Sequence, residues 1–289
     1  MTHRDAGILY VVATPIGNLE DVSPRARRAL AEADFIAAED TRKTRKLLSH
    51  LGVRTPTMLS CFAGNEARRS GEIAERLARG ERGALVTDAG TPAIADPGAR
   101  VVRAALDAGA RVIPVPGPSA LTAALSASGF SADGFRFHGF LPASGRARAA
   151  AIRALAEAPE TAVLFESPRR IGPLLLAMAG VAPGRDCAVF REVTKLHEEA
   201  VRGTLAEVAD RVGSGAGRGE YVVVLGPEDA PPRVAGEAEI RRALSARLGE
   251  GATLAGAARE VARALGVPRA EAYRLGLILR KGRGGDDDG

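Results

Sequence analysis

The sequence predicts an α/β protein: two α/β domains followed by a small helical extension. Three observations carry this expectation. Apolar runs alternate with helical stretches from residue 8 to residue 127, the βαβα order of an open, mostly parallel sheet. Strands and helices resume between residues 146 and 225. Beyond the adjacent prolines Pro231 and Pro232 the pattern is helical only. The expected domains are residues 1–117, 118–228 and 235–282.

The elements follow in order. Residues 8–13 are an apolar run that ends at the turn Thr14-Pro15-Ile16-Gly17-Asn18. A helix is expected over 24–33, with Ser23 as N-cap and Pro24 in its first position. Residues 35–38 form a short strand, and 41–51 a basic helix that stops before Gly52. A helix over 66–79 stops at Gly80. The buried strand 84–87 runs into Asp88-Ala89-Gly90-Thr91-Pro92. Helix 98–107 and strand 111–115 follow, then a stretch stiffened by Pro114, Pro116 and Pro118, then helix 119–127. The second half has helices near 146–157, 169–179 and 205–212, and strands near 161–166, 187–190 and 221–225. Residues 226–234 read as a linker and 213–217 as a glycine-rich surface loop. In the extension, Leu254, Ala258, Val261 and Leu265 share one helical face. A break at Gly266-Val267-Pro268 and a further helix give a helix-turn-helix outline, with a frayed end over 281–289.

Composition narrows the functions available. The 289 residues are 46% hydrophobic and 26% charged, enough apolar residues for a sizeable core. No apolar run approaches membrane-spanning length, and residues 1–7 are polar, so the expected place of action is the cytoplasm, with no membrane partner. Cys61 and Cys187 are too few and too far apart for a disulfide framework or a cysteine metal site. The formal net charge is +5. Residues 233–283 carry eleven basic against five acidic side chains, and residues 24–54 eight against four. Such basic stretches suit a nucleic-acid partner, or they are solvated helix faces.

Several chemistries have no signature here. There is no G-x-x-x-x-G-K-[ST] loop, no H-E-x-x-H and no C-x-x-C. Gly117-Pro118-Ser119 does not continue into a hydrolase nucleophile elbow. His3, His50, His138 and His197 show no metal-ligand spacing, so no metal is expected. What remains is a pair of Gly- and Pro-containing loops at strand ends, 15–18 and 88–92. Ligands of open α/β sheets bind beyond the carboxyl ends of strands, and glycine there lets a ligand approach the backbone. Tight turns with an Asp cap are the alternative for these loops.

The blocks Val12-Ala13-Thr14-Pro15-Ile16-Gly17-Asn18-Leu19, Ala38-Glu39-Asp40-Thr41-Arg42 and Thr87-Asp88-Ala89-Gly90-Thr91-Pro92 resemble the ribosomal RNA small subunit methyltransferase I family. The resemblance continues in Pro116-Gly117-Pro118, in Phe165-Glu166-Ser167 with Arg170, in Arg191-Glu192 with Thr194-Lys195, and in Gly219-Glu220-Tyr221. It covers nearly the whole chain in order. One departure is Pro168-Arg169, at a helix start.

The resemblance implies a tetrapyrrole-methylase-like, or class III methyltransferase, fold that holds S-adenosylmethionine between two α/β domains. It implies methylation of a cytidine 2′-hydroxyl in 16S ribosomal RNA, the small-subunit RNA or the 30S particle as partner, and a homodimer. The cofactor residues are then Pro15, Gly17, Asn18, Asp88, Ala89, Gly90, Thr91, Ile94, Ser119, Ala120 and Phe165. The candidates for proton handling or ribose positioning are Glu39, Asp40, Glu166 and Lys195. Glu39 and Asp40 are alternatively the acidic start of the helix at Thr41. Lys195 is alternatively a surface ion-pair partner of Glu192 or Glu198. Arg42, Lys43, Arg45 and Lys46 would meet RNA phosphate or ribose. Two other readings stay open: a class III methyltransferase of tetrapyrroles or protein side chains, and an RNA-binding protein without catalysis.

Overall fold

Five short segments between residues 8 and 115 form the strands of one parallel sheet: β1 (Ile8–Val12), β2 (Phe35–Ala38), β3 (Thr57–Ser60), β4 (Arg82–Val86) and β5 (Arg111–Val115). Their spatial order is β3-β2-β4-β1-β5, and every pairing is parallel. The structure is a computed structural model, and it describes residues 7–213, 219–228, 237–265 and 267–283. Residues 214–217 of the expected glycine loop, 229–234 of the linker, Gly266 of the break and 284–289 of the expected frayed end lie outside them.

The parallel sheet is covered on both faces by α1 (Pro24–Glu32), α2 (Thr41–His50), α3 (Glu66–Ala78) and α4 (Ala99–Asp107). Local chemistry sets their starts. Ser23 Oγ accepts the Ala26 N–H at 3.0 Å, with Pro24 pre-set for the first helical turn. Asp40 Oδ1 caps α2 by accepting the Arg42 N–H at 2.8 Å. Glu66 Oε1 accepts the Gly98 and Arg100 N–H groups at 2.9 and 3.0 Å, placing a carboxylate at the start of α4. Leu9, Phe35, Ile36 and Ala37 are fully buried, as strands covered on both faces must be.

α5 (Ala120–Ser128) leads into a second sheet of β6 (Phe135–Phe140), β7 (Thr161–Glu166), β8 (Asp186–Arg191), β9 (Glu199–Thr204) and β10 (Tyr221–Leu225). Its order is β6-β7-β10-β8-β9, with only the β6–β7 pair parallel. α6 (Gly145–Ala156), α7 (Ile171–Ala179) and α8 (Leu205–Gly213) belong to this half. Leu164, Leu174, Leu175 and Val208 form part of the core on one face, and Ala124 and Leu125 of α5 pack on the other. The helix expected from residue 169 begins at Ile171. Arg170 and Ile171 both donate their N–H to the Ser167 carbonyl, so residues 167–170 close as a turn first. Pro173 is tolerated because it falls in the first turn of α7.

The chain divides into two compact units, Met1–Glu228 and Asp229–Gly289. The second contains α9 (Glu237–Gly249), α10 (Leu254–Leu265) and α11 (Arg269–Arg283) around its own core of Ile240, Leu244, Ala258, Val261 and Leu275. A Cβ on Gly276 would lie 2.5 Å from Leu254 Cδ1, so any larger residue there would displace the end of the Leu254 side chain between α10 and α11.

Two further features of the first unit bear on stability. Both cysteines are free and buried, and burial pushes the Cys61 thiol up to about 11 and the Cys187 thiol up to about 12. The Arg185 guanidinium, also buried, donates to the carbonyls of Leu155, Ala156, Glu160 and Gly226 at 2.7 to 3.1 Å.

Candidate active site

The carboxyl ends of β1, β2 and β4 all point to one edge of the parallel sheet, where the second half of the first unit faces them. A cavity of about 450 Å³ lies there, within the range of sites that enclose a cofactor-sized molecule. The loops after β1 and β4 are stitched together at its floor. Thr14 and Gly90 exchange backbone hydrogen bonds at 2.9 and 3.0 Å, and Thr14 Oγ1 donates to the Thr87 carbonyl at 3.1 Å. Gly90 has a φ of +85°, which keeps the chain close to Ile16 without a side chain between them.

Most residues expected at the cofactor meet here. Asp88, Ala89, Gly90, Thr91 and Ile94 line the cavity from the β4 loop; Ser119, Ala120 and Phe165 line it from the other side. Phe165 is braced edge-on by Phe137 and Phe140, with ring centroids 5.0 and 5.8 Å away. Pro15, Gly17 and Asn18 do not line it. Pro15 borders a neighbouring pocket of about 250 Å³ with Lys43, Lys46 and Leu47. Asn18 caps a short 3-10 turn through the Glu20 N–H, and its own N–H donates to Thr194 Oγ1 at 3.2 Å. A Cβ on Gly17 would sit 2.3 Å from Lys195 Cγ. Gly17 and Asn18 thus lock the β1 loop onto the 192–195 loop, a task that local sequence does not separate from ligand contact.

The proposed proton-handling residues divide. Glu39 lines the cavity; its Oε2 accepts the Thr87 hydroxyl at 2.7 Å and the Asp88 N–H at 3.3 Å. Asp40 does not line it, being turned into the fork of Arg42, and this pairing holds its carboxyl well below the usual range. Such a group is a poor proton acceptor at neutral pH. Glu166 reaches the cavity wall, but its carboxylate is fully buried. It accepts from Arg170 Nε at 2.6 Å, from Arg148 Nη2 at 3.2 Å and from the Ser167 N–H at 2.8 Å. Those bonds make it a brace between α6 and the start of α7, with its oxygens already taken. Lys195 lies outside the cavity lining and donates to Glu192 at 2.9 Å and Glu220 at 2.8 Å. Burial alone would lower its pKa, but the two carboxylates outweigh this and the net shift is upward. Its ammonium therefore stays protonated. Of its two expected alternatives, Glu192 is the partner found; Glu198 instead accepts the Thr194 N–H.

The basic face of α2 borders both pockets. Lys43 Nζ donates to Asp88 Oδ2 at 2.7 Å, and this bond raises its pKa. Asp88 Oδ1 accepts the Asp40 N–H at 3.0 Å. Asp88 thereby ties the end of β2, the start of α2 and the β4 loop together. Lys46 borders the smaller pocket, while Arg42 and Arg45 are exposed.

Sequence reasoning missed Asp96 and Glu220, both of which line the cavity. Asp96 follows Ala93 and Ala95, two non-glycine residues at φ +67° and +63°. Glu192 and Thr194 of the facing loop share this conformation, at +51° and +66°. Backbone held in such a conformation clusters at functional sites. Asp96-Pro97-Gly98 reads as an ordinary turn, so nothing local singles it out. Among the described residues, no cluster of His, Cys, Asp and Glu is arranged to hold a metal ion, and no helix is long and apolar enough to cross a membrane.

A parallel sheet and a mixed sheet enclosing a cavity at the strand ends define a methyltransferase of the tetrapyrrole (corrin/porphyrin) methylase class, whose family model matches residues 8–209. The methyltransferase CobJ has the same fold, with a TM-score of 0.57 and 21% identity, covering 77% of this chain and 95% of that one. So does uroporphyrin-III C-methyltransferase from Thermus thermophilus complexed with S-adenyl homocysteine, at 0.54 and 23%, covering 76% and 97%. Within this class, ribosomal RNA small subunit methyltransferase I of Synechocystis is 41% identical over 94% of this chain and 98% of its own length. That of Mesorhizobium japonicum is 42% identical over 97% and 95%. The chain belongs to the ribosomal RNA small subunit methyltransferase I family.

Proposed function

We propose that the protein transfers a methyl group from S-adenosylmethionine to the 2′-hydroxyl of a cytidine in 16S ribosomal RNA. The observation that carries this reading is the cavity at the carboxyl ends of β1 and β4, with the basic helix α2 at its border. The residues fit such a cofactor. Ile94, Phe165 and Val222 offer apolar walls, the Gly90 backbone permits close approach, and Asp88 and Glu39 bring polar oxygens. When bound, the cofactor supplies a methyl carbon already activated on a sulfonium. The chain's share is to hold the two reactants in line and keep water out, and positioning of this kind supplies much of the rate. Arg42, Arg45 and Lys46 suit the phosphates of an RNA, whereas a lone macrocycle would leave their charges unused. In this reading residues 1–117 and 118–228 are the two halves that enclose the cofactor, the assembly is a homodimer, and the place of action is the cytoplasm.

The direct test is thermal. A ligand that binds only the folded state at one hundred times its Kd stabilises by about 2.7 kcal/mol. For a unit of this size that raises Tm by roughly 5–10 °C. S-adenosylmethionine should do so, and no shift at saturation removes the reading.

The helical extension is assigned to RNA. Arg259, Arg263 and Arg269 are exposed on α10 and α11. Replacing all three with alanine should weaken RNA binding most at low salt. The slope of log K against log salt should become shallower by about 0.7–0.9 for each phosphate that the protein no longer neutralises. An unchanged slope would place the RNA elsewhere on the protein.

A further inference from the structure

The transfer proposed above fixes where the substrate base must lie. The 2′-oxygen has to stand in line with the methyl group inside the cavity. The base is joined to the adjacent ribose carbon, three bonds from that oxygen. With the ribose inside the wall, the base comes to rest at the cavity mouth. A base held this way has lost its neighbours in the RNA stack, and proteins that hold single bases replace those neighbours with aromatic side chains.

One side chain at that mouth is both planar and open. Phe140, the last residue of β6, lines the cavity and is 58% exposed, the most of the chain's eight phenylalanines. A lone exposed phenylalanine is ordinary on a protein surface, but the backbone here is built to turn this one toward the cavity. Phe137 pairs with Val163 and Phe140 with Phe165, so β6 takes three steps where β7 takes two. On a regular strand, residues an odd number apart point to opposite faces. The extra residue brings Phe137 and Phe140 to the same side, and both rings meet Phe165 edge-on, at centroid distances of 5.0 and 5.8 Å. Gly139 supplies the turn at φ +60°. A Cβ there would meet nothing closer than Ala95 Cβ at 4.0 Å, so this glycine serves conformation rather than space. Irregularities of this kind re-aim side chains next to active sites.

The rest of the lining suits a nucleotide laid on that ring. Lys43 lines the cavity from α2, and the adjoining pocket shares Lys43 and Asp88 with it and adds Lys46. Arg45 and Lys46 are exposed on the same helix. A flat aromatic face together with a track of cations is how proteins hold a single strand of nucleic acid, the ring taking the base and the cations the backbone. We infer that Phe140 is the platform on which the base of the methylated nucleotide stacks, so that its ribose hydroxyl is presented to the cavity. The edge contact with Phe165 sets the position of the ring, while Phe165 itself stays with the cofactor. Stacking accepts any base, so Phe140 supplies the hold and not the choice of cytosine.

The inference rests on the methyl-transfer reading, and the test separates the two. Wild type, Phe140→Ala, Phe140→Leu and Phe140→Tyr are compared by calorimetric binding of S-adenosylhomocysteine, by methylation kinetics on unmethylated 30S particles, and by sedimentation. Phe140→Ala should sediment as wild type and bind S-adenosylhomocysteine within about threefold of it, yet lose roughly ten- to a hundredfold in kcat/KM for the particle, the usual effect of deleting one base-stacking aromatic. Most of the loss should fall in KM, since a stacked base is held alike before and during the transfer. Phe140→Leu should be nearly as poor as alanine, because it keeps the apolar contact and lacks the flat face. Phe140→Tyr should recover most of the loss. The chain has no tryptophan, so Phe140→Trp gives it a single reporter at this position. Made with 5-hydroxytryptophan, that variant can be excited apart from the tryptophans of ribosomal proteins. Its emission should change little with S-adenosylhomocysteine alone and be quenched when the particle joins the complex.

The inference is overturned if Phe140→Ala keeps the wild-type kcat/KM, or if Phe140→Leu does, which makes the position a plain apolar wall. Full quenching by S-adenosylhomocysteine alone, or a loss confined to its affinity, makes the cofactor the occupant, with the same consequence. A change in the sedimentation of Phe140→Ala places the ring in a contact between copies and equally overturns it. A wild type that neither binds S-adenosylhomocysteine nor methylates the particle overturns the underlying reading instead.

Discussion

Arg185→Leu is expected to lower the unfolding free energy of the first unit by about 3–5 kcal/mol, the range for removing one partner of a buried charged network. Arg185 is 6% exposed, and its forked guanidinium gathers four main-chain carbonyls from three places in the chain. Leu155 and Ala156 lie at the end of α6, Glu160 just before β7, and Gly226 just after β10. Each bond is charge-assisted on the donor side, and hydrogen bonds of that kind are worth about 1.5–3 kcal/mol. Leucine fills some of the volume but removes every charge-assisted bond, and of the four carbonyls Leu155 keeps the Ala158 N–H. Lysine keeps the charge but has no planar fork, so Arg185→Lys should recover only part of the loss. Domains are stable by only about 5–15 kcal/mol, so the leucine variant should be largely unfolded at modest urea. Urea titration followed by circular dichroism gives the midpoint. An unchanged midpoint would mean that the carbonyls are satisfied without this side chain.

The second large effect is expected at Asp88. Asp88→Ala should lower methylation by about two orders of magnitude, the cost of misplacing a reacting group by roughly an ångström. The carboxylate joins the end of β2, the first turn of α2 and the β4 loop through the Asp40 N–H and Lys43 Nζ. Alanine frees all three at the border of the cavity. Lys43→Ala removes one of the two bonds and leaves the carboxylate in place, so its effect should be smaller. Single-turnover assays with saturating cofactor and RNA distinguish them. Equal losses in the two variants would put the whole effect in the ion pair and none in the backbone link.

Much of the first sheet was legible, because strands covered on both faces are continuous apolar runs bounded by Gly and Pro. Ile8–Val12 and Arg82–Val86 stand out for that reason. Three strands were not: β3, β6 and β9. All three are edge strands, and their composition explains the miss. β6 reads Phe-Arg-Phe-His-Gly-Phe and β9 Glu-Ala-Val-Arg-Gly-Thr. An edge strand is half in solvent and carries charges that discourage further pairing, so it lacks the apolar continuity of a central strand. The site divides in the same way. Asp88, Gly90 and Thr91 sit in a Gly- and Pro-containing loop at a strand end, a place where a ligand or a tight turn is expected, and they line the cavity. How each carboxylate is held depends on partners far away in sequence: Arg148 for Glu166, Lys195 for Glu220, and Lys43 for Asp88. Asp40 is the exception, since its partner Arg42 is two residues away and the acidic helix start was the simpler reading.

The positions of the two thiols make the protein its own recorder of local opening. Cys61 follows β3 at the border of the parallel sheet, its N–H bonded to the Ala38 carbonyl, and Cys187 lies within β8 of the mixed sheet. Neither reacts as a thiolate while buried with its proton held so tightly. Modification of each then requires a fluctuation that exposes it, and the rate at each position measures how often that part of the molecule comes apart. Equal rates for the two would mark the sheets as one cooperative body. A faster rate at Cys61 would mean that the parallel sheet frays from its β3 edge while the mixed sheet stays closed.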